Sequence, residues 1–254
     1  MVSLGSLRWA SNDSLALSQL GANIMMPDGF HIEHNAVNAE TWEKIRHWLS
    51  TGVLPPSRSS SSSSELVSVP IPWESGPQMQ NRRIAQFGDC KYDYIKDVAT
   101  ACDDAVAPIP QYICETLLTQ DERPQYTQCI INCYNAKNEI PWHLDHEYFG
   151  PEVLVYTFGE ARPLLFRRRR CQTSSLEESN TRAEISLKKD TETDQQNDKC
   201  VTSYEYATAQ PNHCSKYILK GSARSEWEHS VPTGNAERVS ITFRSWHGPR
   251  KEGN

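Results

Sequence analysis

From residue 128 onward the chain is written in short strands, and that texture constrains the fold more than any other feature. The segments QCIINCYN, EVLVYTFG, PLLFRR, SYEYAT, KYILKG and RVSITFR are rich in β-branched and aromatic residues and are parted by Gly, Pro or Asn. Upstream, residues 28–52 read as a short strand and then a helix. Asn38 is its N-cap, Trp42, Ile45, Trp48 and Leu49 fall at helical spacing, and Gly52 stops it. A second helix is expected in APIPQYICETLLTQ, packing through Ile113, Leu117 and Leu118. One or two helices leading a many-stranded region predict an α+β chain with a jelly-roll-like sandwich rather than a parallel α/β sheet.

The 254 residues are ample for one large core. Residues 1–27 are read as an N-terminal extension and 28–250 as a single domain. Two polar insertions interrupt it: a low-complexity, serine-rich tract near 55–65 and an acidic, strand-poor stretch over 171–200 that reads as a long loop. A net charge of −6 argues against a surface that is basic throughout, although it leaves room for a local basic groove. The eight cysteines contain no CxxC pair and read as reduced thiols of an intracellular protein, nuclear or cytoplasmic, with an organellar address also open. No apolar run approaches the roughly 18 residues of a membrane helix, so no membrane partner is expected; a monomer is.

Chemistry concentrates in WHLDHEYFG, residues 142–150. His143 and Asp145 are two apart, so on a strand both would face one side. Two imidazoles and a carboxylate with open positions are what a non-haem Fe(II) oxygenase requires. The second imidazole must come from elsewhere: His31, His34, His47, His146, His213, His229 or His247. In RVSITFR the parity puts Arg238, Ser240, Thr242 and Arg244 on one face, with Val239, Ile241 and Phe243 on the other. If the apolar face meets the helices, two arginines point inward and demand an anion, for which a dicarboxylate offers one carboxylate to each guanidinium. The plainer alternative is an edge strand whose polar face is wet. Asn132 and Tyr134 repeat the pattern nine residues before the metal strand, with an amide and a phenol on one face.

Taken together, NxY, HxD nine residues on, a distant His and RxxxxxR resemble the AlkB family of Fe(II)- and 2-oxoglutarate-dependent dioxygenases, over roughly residues 80–246. The resemblance implies a double-stranded β-helix core with N-terminal supporting helices. It implies that His143, Asp145 and His229 bind Fe(II), that Arg238 and Tyr134 bind the distal carboxylate of 2-oxoglutarate, and that Asn132 and Arg244 support its metal-chelating end. O2 is then the oxidant, and hydroxylation of an N-methyl group releases formaldehyde. Two departures stand out: Ser240, where several members carry asparagine, and the 84-residue gap between Asp145 and His229.

The substrate implied is methylated nucleic acid, DNA or RNA. Glu147, two past the aspartate, would read the base if the strand runs on, with Tyr148 near it. Arg82, Arg83, Tyr92 and Tyr94 lie in NRRIAQFGDCKYDY, which resembles the family's lid, where they would touch phosphate and bases. The run FRRRR at 166–170 adds either local positive charge or a strand end balanced by the acidic insertion. Rival readings are hydroxylation or demethylation of a protein side chain, a non-catalytic binding module, and a zinc hydrolase, which would leave both arginines without an anion.

Overall fold

Alternation along the strands sorts the buried side chains into two layers, and the site lies in the inner one. The computed structural model describes residues 25–55, 66–76, 82–94, 96, 98–101, 106–172 and 201–249. In chain order the elements are β1 (Phe30–Glu33), α1 (Ala39–Thr51), β2 (Val53–Leu54), β3 (Val67–Ser68), β4 (Trp73–Ser75), β5 (Arg83–Gly88), β6 (Cys90–Asp93), β7 (Val98–Ala101), α2 (Gln111–Leu117), β8 (Gln128–Tyr134), β9 (Ile140–His143), β10 (Phe149–Gly159), β11 (Leu164–Gln172), β12 (Val201–Ala209), β13 (Ser215–Lys220), α3 (Ser222–Ser225), β14 (Glu228–Val231) and β15 (Arg238–Trp246). A seven-stranded sheet runs β1-β13-β10-β15-β8-β5-β4, and a four-stranded sheet runs β12-β11-β14-β9. Pairing within both is antiparallel. The architecture, mostly antiparallel sheet with few helices, is compatible with the jelly roll expected.

Helix α1 forms where its caps allow. The Asn38 side chain accepts from the Thr41 N–H at 2.8 Å, satisfying a donor the first turn leaves open. Gly52, at φ 72°, turns the chain left-handed and returns its N–H to the Trp48 carbonyl at 2.7 Å. Ile45 and Trp48 are fully buried; together with Ile113 and Leu117 of α2 they cover Ile131, Leu154, Phe158, Ile241 and Phe243 on one face of the large sheet. The opposite face sends Val153, Val155, Tyr217 and Leu219 against Leu164, Phe166, Ala207 and Val231 of the small sheet. β10 is therefore buried on both sides. The parity read in RVSITFR holds: its apolar residues face the helix side and its polar residues face between the sheets.

Of the three stretches singled out in the sequence, 1–27, 55–65 and 171–200, residues 1–24, 56–65 and 173–200 lie outside the described residues. Cys90, Cys114, Cys129, Cys133 and Cys214 are free thiols. No helix among the described residues is long and apolar enough to cross a membrane.

Candidate metal centre and co-substrate pocket

β9 and β14 pair so that His143 lies directly opposite His229, with ring centroids 4.2 Å apart. Asp145 follows two residues after His143, and one ligand atom from each of the three lies within 4.8 Å of the others. The expectation that a strand carries both His143 and Asp145 is corrected. β9 ends at His143, and Asp145 lies in the irregular segment beyond it, before the turn at Glu147 and Tyr148. Arg224 holds the segment that follows: its Nη1 donates to the Asp145 carbonyl at 3.0 Å and its Nη2 donates to those of His146 and Phe149 at 2.8 and 3.0 Å. These carbonyls meet a guanidinium instead of a neighbouring strand.

The protonation states suit a cation. Burial by itself would push the Asp145 carboxyl up. The Arg244 guanidinium, with its Nη2 3.1 Å from Oδ1, outweighs that, helped by His229 and His143, and holds it well below the usual carboxylate range. Burial, then the neighbouring His143, brings His229 down to about 3, and burial also lowers His143. Both imidazoles are thus neutral at physiological pH, as ligation requires. His143 Nδ1 lies 2.9 Å from the Pro141 carbonyl; as the donor there it leaves Nε2 free to coordinate. Asp145 Oδ2 and His229 Nδ1 are buried without a hydrogen-bond partner. Neutral nitrogens and one ionised carboxylate converging with open valence fit Fe(II).

A cavity of about 420 Å³ opens beside this triad. Its charged walls are Arg82, Arg238 and Arg244 against Asp145 alone, an excess of positive charge that calls for an anion. Arg238 is 2% exposed and its Nε and Nη1 lack partners, a costly state unless an acid enters. Register explains the clustering: β15 pairs β8 with Arg238 opposite Tyr134 and Ser240 opposite Asn132. Arg238 lies 5.2 Å from the Tyr134 ring centroid, and Tyr134 Oη and Ser240 Oγ are 3.4 Å apart. Asn132 is oriented by Arg82, whose Nε donates to its Oδ1 at 3.0 Å. Gly159, at φ 82°, faces Arg238 from β10; a Cβ there would meet the Glu237 carbonyl at 2.5 Å, so the strand start is packed backbone to backbone.

Of the residues expected to meet substrate, Arg82 and Tyr92 line the cavity. Arg83 does not: one position on, it faces outward, 4.2 Å from the Trp73 ring centroid. Glu147 was expected on the metal face of a continuing strand. It is an exposed turn residue on a second pocket with Arg224 and His247, because the strand ends at His143. Tyr148 packs against His146 and Trp246 and is not among the cavity walls. Tyr217 and Arg224 were missing from the expected site. Tyr217 and Tyr94 line the cavity, and burial raises the Tyr217 phenol to about 12, keeping it a donor. Strand parity could have found Tyr217; nothing in GSARSEW marks Arg224. The FRRRR run is neutralised largely by strand glutamates: Arg167 by Glu228 at 2.6 Å, Arg168 by Glu205 and Glu226, and Arg170 by Glu205. The acidic residues of the insertion, the balance expected for this run, lie outside the described residues.

A family model described as 2OG-Fe(II) oxygenase superfamily matches residues 74–244. That span contains the triad and both inward arginines. No curated protein matches the chain.

Proposed function

Because the chain belongs to the 2OG-Fe(II) oxygenase superfamily, and is thus an Fe(II)- and 2-oxoglutarate-dependent dioxygenase, we propose that it acts as an AlkB-like demethylase of N-alkylated bases in nucleic acid. On this reading the two facing sheets form a double-stranded β-helix. The observation that carries the proposal is the part of the cavity wall where Tyr92, Tyr94 and Arg82 bring aromatic rings and a cation into the same cavity as the metal triad. Tyr92 and Tyr94 meet edge to face at 4.7 Å, and Arg82 lies 5.2 Å from the Tyr94 ring centroid. A flat, electron-poor methylated base is the ligand such a wall favours, once it has left its stack.

With Fe(II), 2-oxoglutarate and O2 bound, the site would supply the oxidant that hydroxylates a methyl group, which leaves nitrogen as formaldehyde. The chain's own residues prepare it. Arg238 takes one co-substrate carboxylate and excludes water from it, beside Tyr134 and Ser240. Arg244 keeps Asp145 ionised while presenting its remaining donors to the cavity. Arg82 fixes the Asn132 amide so that its Nδ2 points inward. His143 and His229 stay neutral and so hold the metal.

A protein side chain is the second reading, and the ion-paired state of Arg167, Arg168 and Arg170 favours it by removing a basic patch. The two are separated by succinate and formaldehyde release with single-stranded oligonucleotides carrying N-methylated adenine or cytosine, unmodified oligonucleotides, and methyl-lysine peptides. Stimulation by methylated oligonucleotides alone is expected. Stimulation by peptides alone would overturn the nucleic-acid assignment.

A further inference from the structure

The outer face of the four-stranded sheet carries an aromatic layer that plays no part in the core. On β12 the alternation buries Ala207 and Ala209 and turns Tyr204 and Tyr206 outward, 42% and 40% exposed. Register sets Arg167 of β11 opposite Tyr206, on the same outer face. Its guanidinium lies 4.7 Å from the Trp142 ring centroid and 5.1 Å from that of Tyr204. β9 and β12 are the two edges of the sheet, yet Trp142 and Tyr206 approach to 6.4 Å and Tyr204 and Tyr206 to 6.2 Å. The rings therefore spread across the whole sheet rather than capping one strand.

This layer is continuous with the metal centre. Trp142 belongs both to it and to the cavity wall, and the next wall residues are His143 and the half-exposed Leu144. A molecule lying on the rings leads directly to the cavity mouth. Exposed tyrosines and a tryptophan with an interleaved guanidinium offer faces for unstacked bases, which any nucleobase can use. A buried protein interface would want a larger apolar patch than three rings and one leucine. Because Glu228 already holds Arg167 at 2.6 Å, few counterions would be released on binding.

We infer that the outer face of the four-stranded sheet is a stacking platform for single-stranded nucleic acid, which feeds the substrate strand into the metal cavity. The inference rests on the nucleic-acid reading above. Its signature is recognition by stacking: single strands over duplex, little sequence preference and a shallow salt dependence.

The test is a fluorescence-anisotropy titration of a labelled, unmethylated single-stranded oligonucleotide. It uses the full chain with Fe(II) and 2-oxoglutarate under anaerobic conditions. Tyr204→Ala with Tyr206→Ala is expected to weaken binding at least tenfold, since each lost ring costs roughly five- to a hundredfold. Tyr204→Phe with Tyr206→Phe should keep it, and succinate formation without oligonucleotide should be unchanged in both variants. The log-log salt slope of the wild type should be shallower than about −2. No binding by the wild type, wild-type affinity in the double alanine variant, tighter binding of duplex, or a steeper slope would each overturn the platform. Ring-dependent binding with no release of formaldehyde from any methylated oligonucleotide would instead overturn the demethylase reading and leave the platform standing. Demethylation with ring-independent binding would do the reverse.

Discussion

Arg238 is the side chain whose environment says most about its task, because two buried guanidinium nitrogens face the cavity with nothing to bond. Arg238→Lys keeps the charge but loses the planar fork, so the 2-oxoglutarate concentration for half-maximal succinate formation should rise by tens to hundreds of fold, on the order of 2–4 kcal/mol. An unchanged requirement would mean that the co-substrate sits elsewhere. His229 gives a pH prediction. Its folded value of about 3 lies below the ordinary 6.5. Between those limits the unfolded chain binds a proton that the folded chain does not. The metal-free protein should therefore lose stability as pH falls from about 6.5 towards 3, with nothing further lost from this group below that. Thermal midpoints of chelator-treated protein between pH 7.5 and 4.5 should fall less steeply in His229→Gln than in the wild type. Equal slopes would place the titration in other groups. Arg224 touches no ligand side chain, only the carbonyls that set the metal turn. Arg224→Met should weaken Mn(II) binding by roughly ten- to a hundredfold in a calorimetric titration, with Arg224→Lys recovering part of it.

At the scale of elements, each strand of the large sheet does two jobs on opposite faces, and helix α1 serves only one of them. Trp48 is fully buried against the helix-side core, and its indole donates to the Val69 carbonyl at 2.9 Å. Trp48→Ala should cost about 3–5 kcal/mol in urea unfolding, and Asn38→Ala about 1 kcal/mol through the lost cap. Neither should alter the 2-oxoglutarate requirement of the protein that remains folded, since the inner face of β15 points away from the helix. A shifted requirement in Asn38→Ala would show that α1 governs the pocket. The caps, the two-residue period of β15 and the apolar spacing of α1 were all legible in the sequence, because they depend only on neighbours along the chain. The end of β9 was not. A strand continuing through Asp145 and Glu147 is what local alternation predicts, whereas in the fold the Asp145 carbonyl bonds Arg224, 79 residues away along the chain. Glu147 leaves the predicted face with it and lies exposed in a turn.

For the whole molecule, the long separation between Asp145 and His229 is accommodated by the β11–β12 hairpin. Its strands pair along their full length, and Gln172 lies directly opposite Val201. Two ends already in register need only a short turn, and loop length alters closure entropy slowly. Replacing residues 173–200 by a four-residue Gly-containing turn should leave the thermal midpoint within a few degrees and oligonucleotide-independent succinate formation intact. Loss of soluble protein would make that stretch part of the folding unit. The sequence by itself determined the antiparallel class, the helix limits and the identity of the chemical groups. Those follow from side-chain period, cap chemistry and the few residue types able to bind a metal or a carboxylate. Only the tertiary structure decided which groups meet. Register sets His143 against His229 and Arg238 against Tyr134. Burial makes the imidazoles neutral and leaves the guanidiniums wanting an anion. Long-range ion pairs consume the arginines of FRRRR that looked available in one dimension. Such pairings are fixed by packing between strands distant in the chain, where no local pattern carries the information.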